Sequence, residues 1–453
     1  MLAESKLVRC ALLKKRFRKK ISADLISKTI YINPDVLRGL MFSLYKKIDS
    51  LYWERYGVQA KKYPYAFFVL DKMLRMDLVG KKDLVIRDLN YYSRFSAKKF
   101  LVRCVQKLCF FPFLLCYRKR AVLINVPKFY DVGEVVEEGF SAEGWRCFRN
   151  PRVLNFLCGT VCSGRLELNL IFKKYLSDSG GNFLDENLLL RLNGAVEKEV
   201  RYFSDLLKKL RVQVLFVQGD SAPSERVLCE AAKAANCRVI VLAHGYVQSP
   251  SLITIAPVYG DQLCVWTEQQ RNDLKSAVES TTASKIRYCG SFFRKRGRKF
   301  RDASLSALIA LEVLPIEQEK QDFYLKVLND YSRAMRERGF FVKVRPHPKE
   351  KSEIVEQISS LFPNTSLSLK ETALEAIGGC DIILAPNSSI LIQALDLGKH
   401  AFQISELGIF PFEGVDSVNL HDFLIKYYAL KKVGSKEDKW HTSFFDLNKC
   451  LAE

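Results

Sequence analysis

Long apolar stretches and secretion signals are missing from this sequence of 453 residues. No uncharged apolar run reaches the roughly 18 residues that a membrane-spanning helix needs, so we expect none. The strongly basic N-terminal segment lacks the apolar core and the small-residue cleavage site of a secretory signal. The 13 cysteines form no Cys-x-x-Cys pair and no zinc-like spacing with histidine. An odd number of scattered cysteines predicts buried thiols in a reducing compartment, and therefore a cytoplasmic protein.

Several catalytic motifs are missing as well. The sequence contains no GxxxxGK[ST] loop and no HExxH, GxSxG or GxGxxG motif. A P-loop hydrolase, a zinc protease and a simple esterase are therefore unsupported. Apolar residues make up 48% of the chain and charged residues 27%, which excludes a disordered or low-complexity protein. The length predicts two or three globular domains.

Positive charge is concentrated at the start of the chain. The net charge is +21, and residues 1–120 hold 28 Lys and Arg against 9 Asp and Glu. An excess of this size indicates an anionic partner. Residues 100–120 contain an apolar run that ends in three basic residues, which is typical of a helix in a membrane interface or of a buried helix kinked at Pro112. We favour an anionic membrane surface over nucleic acid, because no nucleic-acid-binding module is recognisable.

From residue 121 onward, apolar runs alternate with helical stretches. Continuous apolar runs predict strands that are buried on both faces, as in parallel sheets. These runs lie at 121–126, 212–217 and 238–243, and further strand candidates lie at 286–290, 305–311, 340–345, 381–386 and 401–405. The predicted fold class is α/β, with two Rossmann-like doubly wound domains preceded by a basic helical extension. The predicted parts are the helical region 1–120, an N-terminal Rossmann-like domain 121–280, a C-terminal one 281–425, and a tail 426–453 that packs back on the N-terminal domain.

Two loops in the second predicted domain carry phosphate-binding chemistry at strand ends, where ligands of open α/β sheets bind. In VRPHPKE, two prolines flank His347 and Arg345 supplies charged donors. This pair suits an anionic oxygen, with a structural histidine in a Pro-rich turn as the alternative. In APNSSILIQALDLGK, Asn387 or Ser388 is expected to cap a helix that runs to Leu397. The start of such a helix suits a phosphate, with plain capping as the alternative.

The first predicted domain offers acid–base candidates. Asp220 follows the strand predicted at 212–217 and His244 follows the next one, so both are expected at one edge of the sheet. The pair suits activation of an acceptor hydroxyl, with an Asx-turn as the alternative for Asp220. Glu138, one of two adjacent glutamates, is a third candidate because neighbouring carboxylates raise each other's pKa. Such pairs lie more often in a solvated turn.

The order of these motifs resembles bacterial GT-B glycosyltransferases that build surface and capsular polysaccharides. The resemblance rests on Arg345-Pro346-His347-Pro348 and on Asn387-Ser388-Ser389 ahead of an apolar helix. It also rests on His244-Gly245 and on Cys289-Gly290-Ser291. It covers residues 210–405 and is similar to sialyl- and Kdo-transferases and, more distantly, to CDP-glycerol phosphotransferases.

The resemblance implies a glycosyltransferase that needs no metal and holds a nucleotide-sugar donor in its C-terminal domain. A CMP-activated acidic sugar is the favoured donor. The acceptor is expected to be a lipid-linked or membrane-tethered glycan, met at the inner face of the membrane through the basic region 1–120. The expected base is Asp220, His244 or Glu138. The expected donor-binding residues are Arg345, His347, Pro348, Asn387, Ser388, Ser389, Gly290 and Ser291.

Two other functions stay open on the sequence alone. One is a CDP-polyol phosphotransferase, although Pro386-Asn387 stands where those enzymes carry Asp-Tyr. The other is a catalytically inactive GT-B scaffold or glycan-binding protein, against which the strand-end residues His347 and His244 argue.

Overall fold

The chain forms two compact units in the computed structural model. Unit 1 comprises Met1–Tyr288 and Leu447–Glu453, and unit 2 comprises Cys289–Asp446. Each unit is described by itself. The residues that the structure describes are 34–78, 120–125, 132–149, 185–219, 223–243, 245, 258–291, 306–312, 314, 318–347, 350, 352–407, 412, 414–433 and 445–451.

Unit 1 is built on a six-stranded parallel sheet with the order β2-β1-β3-β4-β5-β6. The apolar runs predicted as strands at 121–126, 212–217 and 238–243 form β1, β3 and β4. Their side chains are almost all buried, as expected for a sheet covered on both faces. The strands are β1 (Ala121–Asn125), β2 (Arg146–Arg149), β3 (Val212–Val217), β4 (Arg238–Leu242), β5 (Gln262–Val265) and β6 (Ile286–Tyr288).

The helices of unit 1 cover this sheet. Asp185 caps the long helix α4, because its side chain accepts the Leu188 N–H at 2.8 Å. The apolar positions of α4 recur every three or four residues and are buried, and the helix packs against α2 and α5. The helices are α1 (Pro34–Lys62), α2 (Pro64–Leu78), α3 (Val132–Ala142), α4 (Glu186–Lys209), α5 (Pro223–Ala234), α6 (Glu268–Ala277) and α7 (Ser280–Ala283).

The helices α1 and α2 near the start of the chain belong to the core of unit 1. Each begins with proline, whose missing N–H is tolerated in a first helical turn. Asn193 of α4 caps α2, since its Oδ1 accepts the N–H groups of Tyr65 at 2.9 Å and Ala66 at 3.2 Å. The rings of Tyr56 and Phe67 are buried between α1 and α2. The strongly basic N-terminal residues 1–33 and residues 100–119 lie outside the described residues, whereas Arg120 is described.

Unit 2 is built on a second parallel sheet, with the order β12-β11-β10-β7-β8-β9. The chain runs outward from β7 to β9, returns to β10 on the other side of β7, and continues outward to β12. That order is the Rossmann order. Because unit 1 is also a six-stranded parallel sheet covered by helices, the predicted class of two Rossmann-like doubly wound units is confirmed. The strands are β7 (Ser306–Ala310), β8 (Phe341–Arg345), β9 (Ser366–Leu367), β10 (Ile382–Ala385), β11 (His400–Ile404) and β12 (Asp416–Val418).

The helices of unit 2 alternate with these strands. The longest, α8, buries one face against the sheet, and its Tyr331 hydroxyl donates to the Val418 carbonyl at 2.9 Å. Burying each large side chain of this face stabilises the unit by roughly 1.5–3 kcal/mol. The helices are α8 (Gln318–Arg336), α9 (Ser352–Leu361), α10 (Ala373–Gly378), α11 (Ile390–Asp396) and α12 (Leu420–Val433).

After unit 2 the chain returns to unit 1 as α13 (Leu447–Leu451). The Leu447 side chain lies over Gly139 of α3 so closely that a Cβ there would be 2.5 Å from Leu447 Cδ2. Arg238 Nη1 donates to the Leu451 carbonyl at 2.8 Å. The thiols of Cys264 and Cys450 approach to 3.0 Å, and both residues are fully buried. The short helix α13 thus packs as an integral part of unit 1.

None of the helices in the described part of the chain is both long and apolar enough to cross a membrane. The longest, α1, has 29 residues but carries Lys46, Lys47 and Asp49 near its middle.

Candidate functional site

The topology of unit 2 defines a ligand crevice between β7 and β10. The connections from these two neighbouring strands leave in opposite directions along the sheet, so the loops at their carboxyl ends diverge. Ligands of doubly wound sheets bind at such switch points. Glu312 follows β7, His347 follows β8, and Asn387, Ser388 and Ser389 follow β10. We call these five residues the strand-end site.

The side chain of Asn387 is held in one orientation. Its Nδ2 donates to the Leu407 carbonyl at 3.2 Å, and its Oδ1 accepts from Nε2 of Gln403 at 3.3 Å. Gln403 lies on β11, is 1% exposed, and also donates to the Pro386 carbonyl at 2.8 Å. Because both ends of the Asn387 amide are anchored, the loop after β10 presents fixed hydrogen-bonding groups.

Helix α11 begins one or two residues later than the sequence predicted, because its N-cap is Ser389 rather than Asn387 or Ser388. Ser389 occupies its N-cap position without a side-chain capping bond, while Ser388 Oγ accepts the Ile390 N–H at 3.4 Å. The helix was expected to run to Leu397, and Leu397 is its C-cap. The following Gly398 has φ +67°, and its N–H donates to the Leu395 carbonyl at 2.8 Å. Two partly buried serine hydroxyls therefore stand at the carboxyl edge of β10, beside Asn387.

Glu312 is the site residue that sequence reasoning missed. It follows β7 directly and its side chain is partly buried. Its carboxyl group accepts hydrogen bonds from the backbone and the side chain of Asn387. Burial raises its pKa to about 7, against the lowering effect of these hydrogen bonds. A carboxyl group that exchanges its proton near neutral pH thus lies at the β7–β10 switch point.

The loops after β7 and β8 are joined by hydrogen bonds. The Glu312 N–H donates to the Tyr324 hydroxyl at 3.0 Å, and the Leu314 N–H donates to Oε1 of Glu350 at 2.6 Å. The Glu350 N–H donates to the His347 carbonyl at 2.9 Å, which closes the turn that carries the histidine. Glu312 and His347 are therefore placed by one bonded loop pair at neighbouring strand ends.

Arg345, predicted to contact a phosphate, is engaged within unit 2. Its Nη1 donates to Ser368 Oγ at 3.1 Å and to the Glu371 carbonyl at 2.8 Å, and burial lowers its pKa. The Glu371 carboxylate is itself bound by Ser368 and by Lys343 Nζ at 2.9 Å, which lower the pKa of Glu371. In this geometry Arg345 holds the loop at 368–371 against the end of β8.

Gly290 and Ser291, also predicted to bind the donor, lie away from the serine pair. Ser291 is buried, and its hydroxyl is hydrogen-bonded to the carboxylate of Asp396. Asp396 is the last residue of α11, whereas Ser388 and Ser389 precede the first. The structure therefore places Ser291 at the opposite end of α11 from the strand-end site.

The predicted acid–base candidates are only partly described. Asp220, His244 and the donor-loop residue Pro348 lie outside the described residues. Glu138 lies within α3 with its side chain exposed, so it is on a helix rather than in a loop at a strand end.

Unit 1 contains a buried ion network that sequence reasoning also missed. Asp71 of α2 pairs with Arg75 at 2.9 Å and with Arg226 of α5 at 3.4 Å, and Arg75 also pairs with Asp49 of α1 at 2.8 Å. Asp71, Arg75 and Arg226 are each less than 5% exposed. The Arg226 guanidinium stacks 4.1 Å from the centre of the Tyr259 ring. We call Asp49, Asp71, Arg75 and Arg226 the ion network.

Comparison with known proteins gives distant structural similarities. No protein-family model matches the chain, and no curated protein does. Among solved structures, UDP-GlcNAc 2-epimerase from Neisseria meningitidis bound to UDP-GlcNAc is similar at 14% identity and a TM-score of 0.43, covering 70% of this chain and 92% of that one. The Methanocaldococcus jannaschii UDP-GlcNAc 2-epimerase has 11% identity and a TM-score of 0.45, covering 74% and 97%. A glycosyltransferase from Rickettsia africae has 11% sequence identity and a TM-score of 0.42, and the match covers 70% of this chain and 90% of that one. These similarities are too remote to assign an activity.

Proposed function

We propose that this protein is a glycosyltransferase that binds a nucleotide-sugar donor at the strand-end site of unit 2. The supporting observation is that polar groups of Glu312, Asn387, Ser388 and Ser389 follow the neighbouring strands β7 and β10 at their switch point. The Asn387 amide is fixed by hydrogen bonds to Gln403 and Leu407. The side chain therefore loses little conformational entropy when a ligand binds. Serine hydroxyls and amide N–H groups are suitable donors for phosphate oxygens.

The finer parts of the proposal concern the leaving group and the base. His347, at the neighbouring strand end, acts on the departing phosphate, with a CMP-activated acidic sugar as the favoured donor. The acceptor hydroxyl is deprotonated by Asp220 or His244. Hydrogen bonds aimed at the charge that develops on the leaving phosphate supply the stabilisation of the transition state. No step of this scheme uses a metal ion.

Nucleotide binding is the direct test. We expect one nucleotide from a panel of CMP, CDP, UDP and GDP to raise the melting temperature. A ligand at 100 times its dissociation constant adds about 2.7 kcal/mol to the free energy of unfolding. The shift should be lost in Ser388→Ala and reduced in His347→Ala.

Matched controls are available in unit 2. Ser360→Ala removes an exposed serine of α9, and His421→Ala removes an exposed histidine of α12, so both should keep the shift. A CMP-selective shift supports the acidic-sugar donor, and a CDP-selective one supports a polyol-phosphate donor. Equal shifts in Ser388→Ala and the wild type would contradict the strand-end site, and no shift with any nucleotide would favour a scaffold.

The acceptor is proposed to be a lipid-linked or membrane-tethered glycan at the cytoplasmic face of the membrane. The support is the concentration of positive charge in residues 1–120, with 28 basic against 9 acidic residues. Each basic residue near an anionic surface contributes roughly 1 kcal/mol of attraction. We expect the protein to sediment with phosphatidylserine vesicles at low salt and not with neutral vesicles; equal sedimentation with both would contradict this part.

A further inference from the structure

Glu312 occupies hydrogen-bond donors of the proposed phosphate site. Its carboxyl group accepts from the backbone N–H and the side chain of Asn387, in the loop that leads to Ser388. A ligand phosphate bound by this loop therefore meets a carboxyl group that already uses two of its donors. Both groups are anionic when Glu312 is ionised, so they compete for these donors and repel each other.

The charges around Glu312 do not neutralise it. Tyr324 is uncharged, and its hydroxyl accepts a hydrogen bond from the Glu312 N–H. Glu350 lies on the adjoining loop and is acidic. Arg345, at the end of β8, is hydrogen-bonded to Ser368 and to the Glu371 carbonyl, and the titratable His347 follows the same strand. Among the described residues, the hydrogen bonds that act on the Glu312 carboxyl come from Asn387, which is neutral, and the uncharged Tyr324 hydroxyl also interacts with it electrostatically.

The partial burial of this side chain makes its protonation state responsive near neutral pH. Burial penalises the ionised form and raises the pKa of Glu312 to about 7. At pH 7 the carboxyl group is therefore about half protonated in the free protein. A further negative charge close by shifts this balance towards the protonated form.

We infer that Glu312 takes up a proton when a nucleotide phosphate binds at the strand-end site, so that nucleotide affinity falls as the pH rises. This inference rests on the proposed function. The proton comes from solvent and stays on the Glu312 carboxyl, which gives up its hydrogen bonds from Asn387, and no covalent bond changes. In its protonated form Glu312 can itself donate a hydrogen bond to a phosphate oxygen.

Calorimetric titration of the full-length protein with CMP tests the inference. Between pH 7.5 and 9 the CMP phosphate is already dianionic, so its own titration does not contribute. Over this interval we expect the wild-type affinity to fall about tenfold, because binding takes up about two-thirds of a proton on average; uptake of one full proton throughout would give about thirtyfold. The affinity of Glu312→Gln should change less than about twofold, and that of Glu319→Gln, an exposed glutamate at the start of α8, should follow the wild type.

A second measurement needs no variant. Wild-type titrations at pH 7.5 in two buffers with different ionisation enthalpies report the number of protons taken up directly. Uptake of a substantial fraction of one proton is expected, and zero uptake with normal CMP binding overturns the inference while leaving the proposed function intact. Failure of CMP, CDP, UDP and GDP alike to bind overturns the proposed function and the inference together.

Discussion

The two units of this protein hold their buried acidic groups in opposite ways. In unit 1, Asp49 and Asp71 are paired with Arg75 and Arg226, so the ion network is balanced in charge. In unit 2, the carboxyl group of Glu312 interacts with the neutral groups of Asn387 and lies at the edge of the sheet. Both arrangements place carboxylates where water is scarce, but only the first supplies counter-ions.

This difference indicates a structural role for the ion network and a role for Glu312 that depends on its protonation state. A buried carboxylate between two guanidinium groups is compensated in charge, and losing either partner leaves an uncompensated charge. A carboxyl group without a counter-ion instead adjusts to burial by changing its pKa. The ion network therefore joins α1, α2 and α5. Glu312, by contrast, is expected to take up a proton from solvent when an anionic ligand binds beside it.

Breaking the balance in unit 1 should have the largest effect. Asp71→Ala leaves Arg75 with Asp49 and removes the acidic partner of the buried Arg226, so we expect a loss of about 3 kcal/mol in the free energy of unfolding. Urea unfolding followed by tryptophan fluorescence measures it, since Trp266 is fully buried in unit 1. Arg201→Ala, which breaks an exposed pair with Glu197, should cost less than about 0.5 kcal/mol. Equal losses in both variants would show that the ion network contributes little.

Removing the unpaired charge in unit 2 should act in the other direction. With a pKa near 7 in the folded state and about 4.5 in the unfolded state, Glu312 binds more protons when folded, so its contribution to stability falls as the pH rises between these values. Glu312→Gln should match the wild type near pH 4.5 and be more stable by about 1–2 kcal/mol at pH 8. Hydrogen exchange of the β7 and β10 amides at both pH values measures this, with Glu319→Gln as control. A constant difference between the pH values would contradict an elevated pKa.

A neutral contact in unit 1 should have the smallest effect. Asn193→Ala removes the acceptor of the Tyr65 and Ala66 N–H groups at the start of α2, and we expect a cost of about 1 kcal/mol. Asn193→Asp keeps an acceptor oxygen and should recover most of it, as judged by the same urea titration. A loss as large as that of Asp71→Ala would mean that helix capping, rather than the ion network, dominates the attachment of α2.

The sequence predicted the elements whose character is local. Runs such as 212–217 and 381–386 are apolar except for Gln213 and Asp381, and burial on both faces of a parallel sheet favours that pattern. The strands β2, β5, β9 and β12 were missed because they are two to four residues long and contain polar residues such as Arg146, Ser366 and Asp416. Their extended conformation comes from pairing with an established strand rather than from their own composition.

The site residues could be predicted only where a short stretch of sequence indicates the local backbone structure. Asn387 and Ser388 were found because a helix start directly after an apolar strand is visible in the sequence. Glu312 is a single acidic residue between apolar ones, and its importance arises from Asn387, which is distant in sequence and adjacent across the sheet. Asp71 and Arg226 are likewise 155 positions apart. Contacts of this kind depend on which strands and helices become neighbours in the folded protein. The local sequence pattern does not show those neighbours.

The return of α13 to unit 1 fixes the order in which the polypeptide can mature on the ribosome. All of Cys289–Asp446 is synthesised before Leu447 emerges to cover Gly139 and before Cys450 meets Cys264. Domains usually fold as soon as their residues have left the ribosome, N-terminal first. Here the unit that is translated first is the one completed last, so an interrupted translation product would expose the surface of α3 and β5 that α13 normally covers.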